Sequence, residues 1–130
     1  MELVERLPTV DGYVELLRRV GWTPPPVEDC RRALDGSLAA VCAVDELETV
    51  VGMGRLVGDG RMYCSAVDVV VEPDAQGQGL GRGIMDALEG LATRRQLGTR
   101  IDLVAAPDVA PFYRRLGYSR RPSDVMRKPL

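Results

Sequence analysis

The chain contains no histidine, which removes Ser-His-Asp and Cys-His catalysis and any imidazole base from consideration. Its three cysteines, Cys30, Cys42 and Cys64, are an odd number without C-x-x-C spacing. With no imidazole to join them, no metal site is expected. Cys42 lies in the apolar run 38–44 and reads as a small buried residue. Long apolar runs are also missing: none exceeds strand length, and no cationic stretch leads into one. Neither a membrane span nor a leader is expected, and a cytoplasmic setting is. At 130 residues and 45% hydrophobic composition the chain suffices for one domain, residues 1–130, with one core. Net charge is only −2, whereas a nucleic-acid binder would more often be basic overall, so no nucleic-acid partner is expected. The charge is unevenly spread. Residues 1–80 carry seven arginines against fourteen acidic residues, a net −7, and residues 81–130 carry ten basic against five acidic, a net +5. A basic C-terminal half suits an anionic ligand and an acidic N-terminal half a cationic one, although scattered surface charge would give the same totals.

What the chain does have is a glycine run, Gly77-Gln78-Gly79-Leu80-Gly81-Arg82-Gly83, between two regular segments. Before it, Val67-Asp68-Val69-Val70-Val71 is rich in the β-branched residues that suit a pleated strand, ended by Glu72-Pro73-Asp74. After it, Ile84, Leu88 and Leu91 fall on one face of a helix, joined by Met85 and Ala92. A helix start has backbone N–H groups without partners and a partial positive charge, and glycines let a ligand come close, so an anion is the natural occupant. No Gly-Lys-Ser/Thr follows, which excludes the P-loop. Neither register of the run meets the dinucleotide pattern G-x-G-x-x-G/A, since the sixth residue is Arg82 or Ile84.

The rest of the chain reads as alternating elements. Residues 1–7 form a first strand, Thr9 caps a helix to about Val20, and Pro26 as first helical residue opens a second helix over 27–34. Residues 37–44, 48–57 and 61–71 read as an antiparallel meander. A helix over 81–95, a strand over 100–105 placed parallel to its predecessor by a right-handed crossover, and a helix over 109–116 follow. Residues 119–121 and 125–127 form a closing hairpin.

The spacing Gln76-x-x-Gly79-x-Gly81 resembles the acetyl-CoA loop of the GCN5-related N-acetyltransferase family. Downstream, Phe112-Tyr113-Arg114-Arg115-Leu116-Gly117-Tyr118 is similar to the family's short helix and following strand. The resemblance covers about Val50 to Tyr118. It implies an α/β fold with a mixed, mostly antiparallel sheet of about six to seven strands and four helices. It also implies acetyl-CoA as cosubstrate, an amine acceptor, direct transfer between them, no metal, and a homodimer.

Carried over by position, Gln76, Gly77, Gln78, Gly79, Leu80, Gly81, Arg82 and Gly83 would bind the pyrophosphate, and Val69, Val70 and Val71 the pantetheine arm. The Val70 amide would meet the thioester oxygen, and Tyr113, beside the cofactor, would act as general acid for the departing thiolate. Asp68 stands inside an apolar strand, where a carboxylate is costly unless paired or useful. It either faces the cleft as general base or pairs with a neighbour such as Arg55; Glu72 and Asp102 are weaker alternatives for the base. Trp22, Arg55 and Tyr63 are the candidate acceptor contacts. The expected activity is acetylation of a small-molecule primary amine. A noncatalytic acyl-CoA sensor or interaction module of the same fold, and acetylation of a protein amine, are the alternatives.

Overall fold

The computed structural model describes residues 1–130. Four strands, β1 (Glu2–Val4), β2 (Ala39–Val44), β3 (Val50–Gly58) and β4 (Cys64–Val71), form one antiparallel sheet in the order β1-β2-β3-β4. Helices α1 (Val10–Arg19) and α2 (Val27–Asp35) come between β1 and β2. Helices α3 (Leu80–Arg94) and α4 (Ala110–Arg115) follow β4, with a 3₁₀ turn at Pro73–Ala75.

The sheet has a core on each face, and the alternation of side chains explains why. Val41 and Ala43 of β2 pack with Leu56 of β3 against Ile84, Met85, Leu88 and Leu91 of α3. Their neighbours Cys42, Val44 and Met53 point the other way, onto Tyr13, Leu16 and Leu17 of α1 and Cys30 and Leu34 of α2. Gly54 is required at the α3 face, because a Cβ there would lie 2.9 Å from both Ile84 and Leu88 side-chain carbons. All three cysteines are buried and free, and burial pushes the Cys42 thiol up to about 11.

Thr9 caps α1 as its sequence position predicts, accepting the Gly12 N–H at 3.0 Å. Gly21, at φ +86°, ends the helix, and the Trp22 N–H turns back to the Leu17 carbonyl at 2.9 Å. Pro26 is the residue before α2 rather than its first residue.

Two expectations for the C-terminal third are corrected. Residues 100–105 form no strand; they make a single parallel bridge, Ser65 to Asp102, with Ala66 N–H to Asp102 O at 2.9 Å and Asp102 N–H to Cys64 O at 3.0 Å. Beyond that bridge β4 carries a bulge, which bends a strand away from its neighbour. Residues 119–121 and 125–127 make no hairpin. Residues 119–130 are exposed throughout, so no apolar face holds them in a sheet, and Pro122 has no N–H to give a ladder.

Candidate active site

The N-terminal end of α3, the free edge of β4 and α4 enclose a cleft of about 590 Å³. Its first wall is backbone. Gly77 and Gly79 have φ of +80° and +79°, a left-handed conformation that side-chain-bearing residues rarely hold, and nothing lies within 4 Å of where their Cβ atoms would be. Gly79 is the residue before α3, so the N–H groups of Leu80, Gly81 and Arg82 have no carbonyl one turn back. The Gln76 side chain ties the loop to the sheet by donating to the Val71 carbonyl at 3.0 Å. Arg82 lines the cleft, and its nearest carboxylate, Asp86, is 3.9 Å away with both side chains exposed.

Gly83 does not belong to this wall. Its N–H is bonded to Gly79 O at 3.0 Å, and its missing Cβ leaves room for Leu3, whose Cδ1 would be 2.8 Å away. The expectation that Gly83 contacts the pyrophosphate is corrected to a packing role. Gln78 is exposed and lies outside the cleft lining.

The free edge of β4 continues the backbone wall. Ala66 gives its N–H outward to Asp102 O, whereas Glu72, six residues on, gives its own to Val51 O across the sheet at 2.8 Å. Regular alternation would put both on one side, so one extra residue intervenes. The pairing shows where: Arg55 faces Val67 and Met53 faces Val70, leaving Asp68 and Val69 opposite Gly54 alone. Counting back from Glu72, the amides of Val71 and Val69 face the free edge and that of Val70 faces β3. Val70 lines the cleft, but the amide turned toward it beside Val70 is Val69's, which corrects the expectation for the Val70 N–H.

The opposite wall is made of side chains: Val20, Trp22, Val109, Phe112 and Tyr113. The Phe112 ring packs on the loop, 3.3 Å from where a Gly81 Cβ would be, so the two sequence motifs touch. Tyr113 stands edge-on to Phe112 at 5.0 Å and to Tyr118 at 6.0 Å between ring centres, and burial raises its hydroxyl above the usual tyrosine value. Trp22 is 48% exposed and brought to the cleft by the Gly21 turn. Val20, Ala75, Val109 and Phe112 are lining residues that the sequence did not assign to the site. Phe112 was visible in its motif, while an isolated valine or alanine carries no signal.

Three of the candidate residues lie elsewhere. Asp68 does not face the cleft: its Oδ2 accepts Arg55 Nε and the Tyr13 hydroxyl, each at 2.7 Å, on the α1 and α2 side of the sheet. Of its two expected roles, the structure therefore carries the pairing with Arg55. Burial first, and then the Asp68 carboxylate, push the Tyr13 hydroxyl up. Arg55 is held in the same network by Ala33 O at 3.3 Å and Ser37 Oγ at 3.1 Å and does not line the cleft. Tyr63 is 60% exposed under the Arg100 guanidinium, 5.9 Å from its ring centre. The weaker base candidates are also engaged outside the cleft, Glu72 with Arg19 at 2.6 Å and Asp102 with Arg100 at 3.3 Å. Arg82 and Tyr113 are the only titratable side chains in the lining.

Residues 36–120 match the acetyltransferase (GNAT) domain family. The chain belongs to the GCN5-related N-acetyltransferase family. It is 39% identical over 121 residues to serotonin N-acetyltransferase 2, chloroplastic, of Oryza sativa subsp. japonica, an alignment covering 89% of this chain and 59% of that protein. It is 34% identical over 114 residues to an uncharacterized N-acetyltransferase of Porphyra purpurea, covering 85% and 65%. The chain thus spans less than two thirds of the length of these relatives. Among solved structures it superposes on a probable acetyltransferase of Staphylococcus aureus with a TM-score of 0.87 at 25% identity, covering 99% and 98% of the two chains. Against glucosamine-6-phosphate N-acetyltransferase of Arabidopsis thaliana the TM-score is 0.76 at 16% identity, covering 98% and 99%, a likeness of fold alone.

Proposed function

We infer that the chain transfers the acetyl group of acetyl-CoA to the primary amine of a small, largely apolar molecule by direct attack within a ternary complex. One observation carries the reading: a single cleft joins the unpartnered amides of the glycine loop, the outward amides of β4 and the Tyr113 hydroxyl. These residues fit coenzyme A, because loop amides at a helix start suit a pyrophosphate and a free strand edge suits the amide-bearing pantetheine arm. Once bound, the thioester supplies the activated acetyl group.

The roles of the chain's own residues follow from where they stand. Leu80, Gly81 and Arg82 offer N–H groups to the phosphates, and the Arg82 guanidinium adds charge. The Val69 N–H is available to the carbonyl oxygen as negative charge builds on it. Tyr113, its proton held more firmly by burial, gives that proton to the departing sulfur. No carboxylate lines the cleft, so the attacking amine loses its proton to water and the rate rises with pH through the amine's own titration. Trp22, Val20 and Val109 supply an apolar, aromatic wall without a negative charge, which favours an arylalkylamine over a polyamine. The similarity to a serotonin N-acetyltransferase supports the same acceptor class.

Thiol release from acetyl-CoA across a panel of arylalkylamines, polyamines, amino sugars and lysine peptides tests the reading. Turnover fastest with an arylalkylamine is expected. Saturable coenzyme A binding with no thiol release on any amine would instead favour a sensor.

A further inference from the structure

We propose that Asp68, with Arg55 and Tyr13, is a positioning brace: it locks the bulge in β4 that turns the Val69 and Val71 amides onto the cleft. The proposal rests on the reading of that cleft as an acetyl-CoA site.

The bulge decides which amides face the cleft. Were the strand regular from Ala66 onward, the amides of Asp68 and Val70 would point to the free edge and those of Val69 and Val71 would be spent on β3. One inserted residue reverses this. The insertion demands an unfavourable backbone, because Asp68 sits at φ +53°, where a residue with a Cβ is strained. Such a conformation persists only when its surroundings over-determine it.

The surroundings do so from both faces. On the α1 and α2 side, one carboxylate oxygen takes two 2.7 Å hydrogen bonds, from Arg55 and Tyr13, with the Asp68 and Arg55 side chains only 17% and 12% exposed. Arg55 is itself fixed to Ala33 and Ser37 at the end of α2, so α1 and β3 meet at one oxygen and α2 holds the arginine that reaches it. On the α3 side, the residue opposite the bulge is Gly54, and its absent Cβ would lie 3.3 Å from the Val69 Cγ2 and 2.9 Å from Ile84 and Leu88. A slip of the bulge by one residue would take the carboxylate out of reach of Tyr13 and Arg55 and turn the Val69 side chain off the α3 face on which it packs. The carboxylate is thus used to aim an amide on the far side of the strand. It transfers no proton.

The test uses the full chain with Asp68→Ala, Asp68→Gly, Asp68→Asn and Tyr13→Phe. It follows three quantities: the coenzyme A dissociation constant by calorimetry, kcat against pH, and the Val69 amide resonance with its hydrogen exchange. Removing the brace in Asp68→Ala and Asp68→Gly is expected to lower kcat by roughly 10- to 100-fold, the range for a mis-set oxyanion donor. Coenzyme A affinity should fall less than kcat, by no more than about tenfold, since the glycine loop is untouched and only the β4 amides that face the pantetheine arm shift. The Val69 resonance should move and its exchange quicken. Asp68→Asn tolerates the left-handed backbone and keeps an acceptor oxygen, so it should recover most of kcat. Tyr13→Phe should show a smaller loss of the same kind. In every variant the pH profile should keep its shape. Asp68→Gly covers the case in which Asp68→Ala fails to fold, as glycine accepts φ +53° freely. An unmoved Val69 resonance in Asp68→Gly would overturn the brace, as would loss of the acidic limb of the pH profile in Asp68→Asn, which would make Asp68 a base. If the unmodified protein releases no thiol with any amine, the acetyltransferase reading fails, while the Val69 resonance still decides the brace.

Discussion

The two walls of the cleft are built from different material. The wall made by the loop and β4 presents main-chain N–H groups, and its residue types are set by what the backbone must do: glycine at the two left-handed positions and at the close contact with Phe112. The facing wall presents side chains, Trp22, Val20, Val109 and Phe112, drawn from the connector after α1 and from the start of α4. A ligand bound through the main chain constrains sequence at fixed spacing, whereas one bound through side chains can be met by many combinations. This is why the donor is readable from the chain and the acceptor is not.

The largest effect should come from filling the backbone wall. Gly81→Leu would place a side chain between the loop and Phe112, whose Cζ is already 3.3 Å from the Cβ position. Losing two amide bonds to a charged phosphate costs about 3–6 kcal/mol, so coenzyme A affinity should fall by at least roughly 100-fold. Calorimetry on the folded variant checks this, and retained binding would show that the anion is held elsewhere. Next in size is Tyr113→Phe, which keeps the ring and removes the proton: kcat should drop roughly 100-fold with coenzyme A affinity unchanged. The pH profile sharpens that outcome. Because burial raises the Tyr113 hydroxyl, the acid form persists above the usual tyrosine value, and activity should fall only above about pH 10. In Tyr113→Phe that alkaline fall should vanish.

The same contrast accounts for how much of the molecule was legible in its residues. The helix faces, the Thr9 cap, the meander and the loop each rest on local patterns, and they stand in the structure with boundaries shifted by a residue or a few. The segment 100–105 has strand composition but only one bridge, because the bulge bends β4 away from it, and a bulge is a property of pairing between strands. The choice between the two readings of Asp68 and the turn of the Val70 amide away from the cleft have that single origin. An aspartate in a valine run signals a buried partner or a use, and only the register reveals which face of the strand it takes.

A smaller effect should come from the side-chain wall. Trp22→Ala removes an aromatic surface beside the cleft without touching the loop, so kcat/KM for an arylalkylamine should fall about tenfold while coenzyme A affinity holds. An equal loss for polyamines and arylalkylamines would mean that Trp22 anchors the connector and does not select the acceptor.

The smallest effect should come from the last glycine of the run, and it separates packing from binding inside one motif. A Cβ at Gly83 would approach Leu3 Cδ1 to 2.8 Å, but that atom ends a flexible side chain that is 39% exposed, so it can turn aside. The residue is helical, and alanine there regains up to about 1 kcal/mol of helix propensity, offsetting the cost of moving Leu3. Thermal unfolding of Gly83→Ala should therefore shift by only a few degrees in either direction, at about 4 °C per kcal/mol for a chain of this size. Coenzyme A affinity should stay the same, since the Gly83 N–H is already committed to Gly79 O. A marked loss of affinity in this variant would extend the backbone wall one residue further into α3 and restore Gly83 to the anion site.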